Sequence, residues 1–187
     1  TGTYNVPKAL ELCLTGGECL RTGQRLQRVE LKSLSEYDRF EDFYAAFRTE
    51  MQRQLTTFFK RLDLVSETMA EYRPAYLLSS LILDCRERGR EQQDGGARYH
   101  DYGATPMGIP NAADALYALK RAVYDEHWLT AEELLTAIRA DFKGYESLRQ
   151  RLRNLPKFGQ QHPEADAMAD RLLGDIYRRR GDVTRAS

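Results

Sequence analysis

Residues 94–111 (DGGARYHDYGATPMGIPN) hold the densest set of side chains able to recognise a ligand. His100 can donate or accept a hydrogen bond, and Tyr99, Asp101 and Tyr102 flank it with further polar groups. In an extended chain, neighbouring side chains point to opposite faces. His100, Tyr102 and Ala104 would then line one side, and Tyr99, Asp101 and Gly103 the other. Either face can border a pocket, and Arg98 with Asp101 equally suits a structural ion pair. His127 and His162 precede helix starts and read as surface residues. Cys13, Cys19 and Cys85 cannot all pair, and their spacing fits no C-x-x-C metal or redox pattern, which points to a reduced compartment. Cys13 and Cys85 fall on apolar helix faces, where cysteine behaves as a small hydrophobe. Cys19 lies in a glycine-rich loop in which no neighbour clearly lowers its pKa. H-E-x-x-H, Walker A, G-x-G-x-x-G and G-x-S-x-G are all absent, and no metal-ligand set emerges.

The elements that must position these groups are mostly helices. Asn5 can cap a helix over 6–14 that has Pro7 in its first turn and ends at Gly16-Gly17. Residues 18–35 lack a period and read as a loop with a short extended piece at 28–31. From Asp38, Phe40, Phe43, Tyr44, Phe47, Met51, Leu55, Phe58, Leu62, Val65 and Met69 recur at three- and four-residue steps, which predicts a long amphipathic helix whose aromatic stripe is a core face. Beyond Pro74, Leu77, Leu78, Leu81, Ile82 and Cys85 share a further helical face until Gly89. Gly95-Gly96 then leads into a strand through 97–103. Pro106, Gly108 and Pro110 hold off a regular helix until Asn111, which caps one over 112–124. Thr130 and Glu133 form a capping box ahead of Leu134, Leu135 and Ile138. Leu148, Leu152 and Leu155 form a short amphipathic turn sequence that Pro156 and Gly159 close, and Pro163 opens a last helix, which bears Met168, Leu172, Leu173 and Ile176. One strand cannot satisfy its own backbone groups, so the chain reads as an excerpt of an α/β architecture.

With 28 Lys and Arg against 28 Asp and Glu, the chain carries no net charge, which removes the global electrostatic case for nucleic acid or an anionic membrane surface. No apolar run reaches the ~18–20 residues of a membrane span and no signal peptide is visible, so the expected location is the cytoplasm.

Several blocks, taken together and in order, resemble the glycyl radical enzymes, the pyruvate formate-lyase-like group. They are residues 5–17 (NVPKALELCLTGG), Thr22-Gly23, residues 81–89 (LILDCRERG), 95–99 (GGARY), 111–120 (NAADALYALK), 142–149 (FKGYESLR) and 155–159 (LPKFG). The resemblance implies an α/β fold: this chain would be a mostly helical fragment of a ten-stranded β/α barrel, all of 1–187 belonging to one barrel domain. Residues 38–89 would be a helical buttress, 95–110 a barrel strand and turn, and 111–180 further covering helices. Pyruvate formate-lyases proper lack the GGARY wording, so the dehydratase, decarboxylase and lyase branches fit better.

In such an enzyme a partner radical-SAM activating enzyme installs a glycyl radical, which oxidises a central cysteine to a thiyl. The thiyl takes a hydrogen atom from a small organic substrate, and elimination, decarboxylation or C–C cleavage follows. The cysteine loop (Gly-Cys-x-Glu) would lie just before Thr1 and the radical loop (Arg-Val-x-Gly-Tyr) well past Ser187. None of Cys13, Cys19 and Cys85 stands at the thiyl position. The resemblance therefore implies a central fragment that binds no cofactor itself and does not turn over alone, from a parent that is a cytoplasmic homodimer. Thr3 and Tyr4, which follow the cysteine strand, are substrate-pocket candidates. So are Tyr99, His100 and Tyr102 on a second strand, His100 standing where many relatives carry Asn. The competing readings are a non-catalytic helical interaction module and a gene remnant derived from such an enzyme.

Overall fold

The computed structural model describes residues 2–25, 30–99 and 103–183, the last six by backbone alone. Most of the described chain is helix: β1 (Gly2–Asn5), α1 (Val6–Leu14), α2 (Phe40–Tyr72), α3 (Tyr76–Leu81), α4 (Leu83–Arg88), β2 (Ala104–Met107), α5 (Ile109–Leu119), α6 (Ala131–Arg139), α7 (Glu146–Arg153) and α8 (Pro163–Val183). β1 and β2 pair as a two-stranded sheet. Two compact units result, one from Thr1–Tyr4 with Gln54–Pro106 and the other from Asn5–Arg53 with Met107–Ser187.

In the larger unit the local signals act as expected at α1. Asn5 is extended and its Oδ1 accepts from the Lys8 N–H at 3.1 Å, satisfying one orphan donor, while Gly16 (φ +68°) and Gly17 (φ +94°) turn the chain away. The start of α2 buries Phe40, Phe43, Tyr44, Phe47 and Met51. α5 packs along α8, and Ala112, Leu116, Ala169 and Leu172 are sealed from solvent. The Tyr44 hydroxyl donates to Asp175 Oδ2 at 2.9 Å, a buried polar pair that fixes α2 against α8. Arg171 stacks 3.6 Å over the Tyr44 ring and forks onto Glu41 at 2.9 and 2.6 Å. The capping box of α6 forms as the sequence predicts, with Thr130 Oγ1 accepting from the Glu133 N–H at 3.2 Å and Glu133 Oε2 from the Thr130 N–H at 2.9 Å.

The helix expected from 112 starts earlier. α5 begins at Ile109, with Gly108 (φ +76°) as its N-cap and Pro110 inside the first turn, where proline's missing N–H would have had no partner anyway. Proline here opens the helix rather than delaying it, and past Leu119 the helix widens into a π-turn at Lys120–Asp125. Asp114, in the second turn of α5, accepts from the Phe158 N–H at 2.8 Å.

In the smaller unit, α2 still buries Leu55 and Leu62, but Leu64 and Val65 stand in solvent, so the expected stripe is open at its far end. The single helical face expected over 77–85 is corrected as well. Ile82 is extended (φ −91°, ψ 120°) and splits the segment into α3 and α4, leaving Leu77 at 80% and Leu81 at 76% exposure while Cys85 is buried. Glu91 ties this unit together. Its Oε1 accepts from the Ala75 N–H at 2.9 Å and the Ser79 hydroxyl at 3.2 Å, and its Oε2 from the Gln93 and Asp94 N–H groups at 2.6 and 3.2 Å. Burial alone would raise this carboxyl, but the hydrogen bonds outweigh it and hold its pKa below the ordinary value.

The strand expected through 97–103 is not formed at its start, and residues 100–102 of it lie outside the described residues. Gln92–Gly96 is a broad turn, residues 97–99 are bends, and the extended segment is Ala104–Met107, within what read as the turn. Within that turn Gly95 takes a left-handed backbone (φ +75°), which glycine adopts without strain.

Candidate functional site

β1 is the first element to carry candidate residues. Its N-terminus joins the end of the 100s segment, the Gly2 N–H donating to the Gly103 carbonyl at 2.9 Å, and it lies so close to α2 that a Cβ on Gly2 would meet Phe58 and Leu62 at 2.8–3.0 Å. Strand alternation separates the next two residues. Thr3 is exposed and Tyr4 is 7% exposed, its hydroxyl donating to Gln54 Oε1 at 3.3 Å and its ring lying 6.1 Å from Phe58. Thr3 and Tyr4 therefore do not share a face, and Tyr4 acts as an anchor for β1. In β2 the exposed positions are Thr105 and Met107. Tyr99 stands 87% exposed on the bend before them. His100 and Tyr102, with Asp101, lie outside the described residues.

Among the described residues the sheet so formed has two strands, with open hydrogen-bonding edges. Such a pair is marginal in isolation and is ready to take further strands.

A second group of reactive side chains escaped sequence reasoning. The reversal at Gly16-Gly17 returns Cys19 to the first turn of α1, where its Sγ lies 3.0 Å from Lys8 Nζ. Hydrogen bonding from the Thr22 side chain, then from Lys8 and from backbone N–H groups, lowers the Cys19 pKa to about 7. This corrects the expectation that nothing near Cys19 would lower it. Lys8 also pairs with Glu11, whose Oε1 accepts from the Leu20 N–H at 2.9 Å and so fixes the loop. The signal in the sequence was a lysine one turn into a helix followed by a glycine pair, which makes sense only once the chain is seen to double back.

By contrast, burial pushes the Cys13 thiol up to about 12, and Cys85 is buried. Alkylation with iodoacetamide at pH 8 should therefore label Cys19 first, with a rate midpoint near pH 7. Lys8→Met should move that midpoint up toward the ordinary value of about 8.5. Equal labelling of all three thiols, or a midpoint indifferent to Lys8, would contradict this assignment.

Among the described residues no cluster of His, Cys, Asp and Glu could hold a metal ion, and no helix is long and apolar enough to cross a membrane.

Comparison with known proteins places these elements. The pyruvate formate lyase-like family model matches residues 1–185. Trans-4-hydroxy-L-proline dehydratase of Clostridioides difficile is 29% identical over 178 residues, covering 95% of this chain and 22% of that enzyme. Isethionate sulfite-lyase of Desulfovibrio desulfuricans is 29% identical over 174 residues, covering 89% of this chain and 20% of the enzyme. Among solved structures, the hydroxyproline dehydratase of C. difficile superposes with a TM-score of 0.85 at 28% identity over 96% of this chain and 23% of its own. A glycyl radical enzyme from Archaeoglobus fulgidus gives 0.82 at 28% identity, over 95% and 22%. The chain thus spans about a fifth of the length of the relatives it matches. It belongs to the pyruvate formate lyase-like family of glycyl radical enzymes, and its mostly helical architecture is that of a portion of their barrel.

Proposed function

We propose that this chain is a central portion of a glycyl radical dehydratase or lyase, supplying two staves and part of the helical cover of its barrel. The observation that carries this reading is the match along residues 1–185, together with high structural similarity to such enzymes, when some four-fifths of each relative lies outside the matched region. The open edges of the β1–β2 pair and the exposed Leu77, Leu81 and Leu83 support it, since both suit a piece of a larger body better than a self-contained helical module.

In this reading the radical glycine, installed by a radical-SAM activase, and the thiyl cysteine belong to other segments, and Cys13, Cys19 and Cys85 take no part in hydrogen abstraction. The parent acts on a small organic substrate by thiyl-initiated hydrogen abstraction followed by elimination, decarboxylation or C–C cleavage. It works as a cytoplasmic homodimer. The contribution of this chain is to orient the substrate and keep water out. Thr3, Tyr99, His100 and Tyr102 are the residues assigned to the substrate side, while Tyr4 holds β1 against Gln54 and Phe58.

The test is anaerobic treatment with the activase, S-adenosylmethionine and a reductant. The polypeptide encoded by the complete reading frame should develop a glycyl radical doublet in its electron paramagnetic resonance spectrum and turn over a diol, a hydroxyproline or a sulfonate. The 187-residue chain should do neither. A radical or turnover from the short chain, or neither from the complete polypeptide, would overturn the proposal.

A further inference from the structure

The larger unit contains a groove of about 430 Å³ between α1, α5, α6 and α7, within the range of roughly 300–1,000 Å³ usual for small-molecule sites. Its walls are carbon: Leu14 from α1, Ala118 from α5, Leu134 and Ile138 from α6, Phe142 beyond it and Leu152 from α7. α7 explains why the groove stays open. It is strongly amphipathic yet has no fully buried residue, so its Leu148 and Leu152 face is only half covered.

The rim carries positive charge. Arg149 and Arg153 lie four residues apart on α7 and so on one side of it, and among the described residues neither side chain has an ion pair or hydrogen bond. The neighbouring charged groups are already engaged. Lys157 Nζ donates to the Leu152 carbonyl at 3.3 Å, and Asp114 Oδ1 accepts from the Phe158 N–H. Asp114 is the one anionic group among the lining residues, and its engagement leaves two uncommitted guanidinium groups over an apolar trough.

We propose that this groove binds a monocarboxylate with an unbranched apolar tail, of the medium-chain fatty acid class. The hydrocarbon would lie between Ala118, Ile138 and Leu152, and the carboxylate would take hydrogen bonds from Arg149 and Arg153. The apolar contact supplies the affinity and the guanidinium pair selects the charged head. This assignment does not depend on the reaction of the parent enzyme.

Decanoate, kept below its micelle concentration, is titrated by calorimetry into the polypeptide encoded by the complete reading frame and followed by methyl NMR. One saturable site is expected, with shifts concentrated on Leu134, Ile138 and Leu152. Decanol, lacking the charge, should bind more weakly, and R149Q/R153Q should weaken decanoate by about three- to tenfold, as expected for exposed charge pairs. Ala118→Phe, which fills the floor, should abolish binding. The two arginines are exposed, so the double glutamine variant keeps its fold and serves as the primary test. Absence of saturable binding, decanol binding as tightly as decanoate, or undiminished affinity in R149Q/R153Q would overturn the proposal.

Discussion

Gly96→Ala is expected to destabilise the unit formed with Gln54–Pro106 by more than about 3 kcal/mol, the range reached when a side chain is forced into backbone with no room to relax. The Gly96 N–H donates to the Glu91 carbonyl at 2.8 Å, closing the turn that presents Glu91 to Ala75 and Ser79. A Cβ at residue 96 would fall inside the van der Waals shell of the Arg90 carbonyl oxygen and 2.7 Å from the Glu91 carbonyl oxygen. Both obstacles are backbone, so the turn must open. Opening it withdraws Glu91 from the first turn of α3 and leaves the Ala75 N–H unpaired. Gly95 provides the comparison. Its φ of +75° strains any substitution, but a Cβ there meets only the Arg90 guanidinium at 3.8 Å, so Gly95→Ala should cost about 1–2 kcal/mol. Hydrogen exchange at the Ser79 and Arg90 amides measures both. Equal costs for the two substitutions would contradict the packing described for this turn.

Leu172→Ala is expected to cost about 3–5 kcal/mol in the larger unit. Leu172 is fully buried in α8, which packs along α5, and the same helix offers Asp175 to Tyr44 and Arg171 to Glu41. Truncation leaves a cavity in α8 on the side that packs along α5, where Leu116 and Ala169 are likewise sealed from solvent. Val65→Ala, on the open end of α2, removes a side chain already 56% exposed and should change stability by less than about 0.5 kcal/mol. Urea unfolding of the two variants separates them. A loss below about 1 kcal/mol for Leu172→Ala would mean that α8 is not docked as described.

What the sequence made legible was whatever depends on neighbours along the chain. Asn5 fixes the start of α1, Thr130 with Glu133 fixes α6, and the Phe40 to Met51 stripe marks the buried face of α2, because caps and helical periods are local physics. The family resemblance, resting on blocks in order, was equally plain. What escaped depends on partners. Leu77 and Leu81 have the spacing of a buried face and are exposed, since periodicity says which side is apolar and never what covers it. β1 is four residues with glycine and asparagine at its ends, too short for alternation to register, and it exists through pairing with β2 about a hundred residues on. Ala104–Met107, read as part of a turn because of Pro106, is extended where its pairing partner β1 is found. At the candidate site, Thr3 and Tyr4 are adjacent in sequence and opposed in space, and the lowered pKa of Cys19 needed a lysine eleven residues earlier.

The central claim is that Gly2–Asn5 and Ala104–Met107 are neighbouring staves of a barrel completed by other segments of the same polypeptide. A cryo-electron microscopy structure of the protein encoded by the complete reading frame tests it most directly. The account predicts that both strands gain a hydrogen-bonded neighbour on their open edges, with Leu77 and Leu81 covered and a cysteine loop reaching the barrel axis beside Thr3. A two-stranded sheet still bare at both edges, with no cysteine loop beside it, would contradict the account.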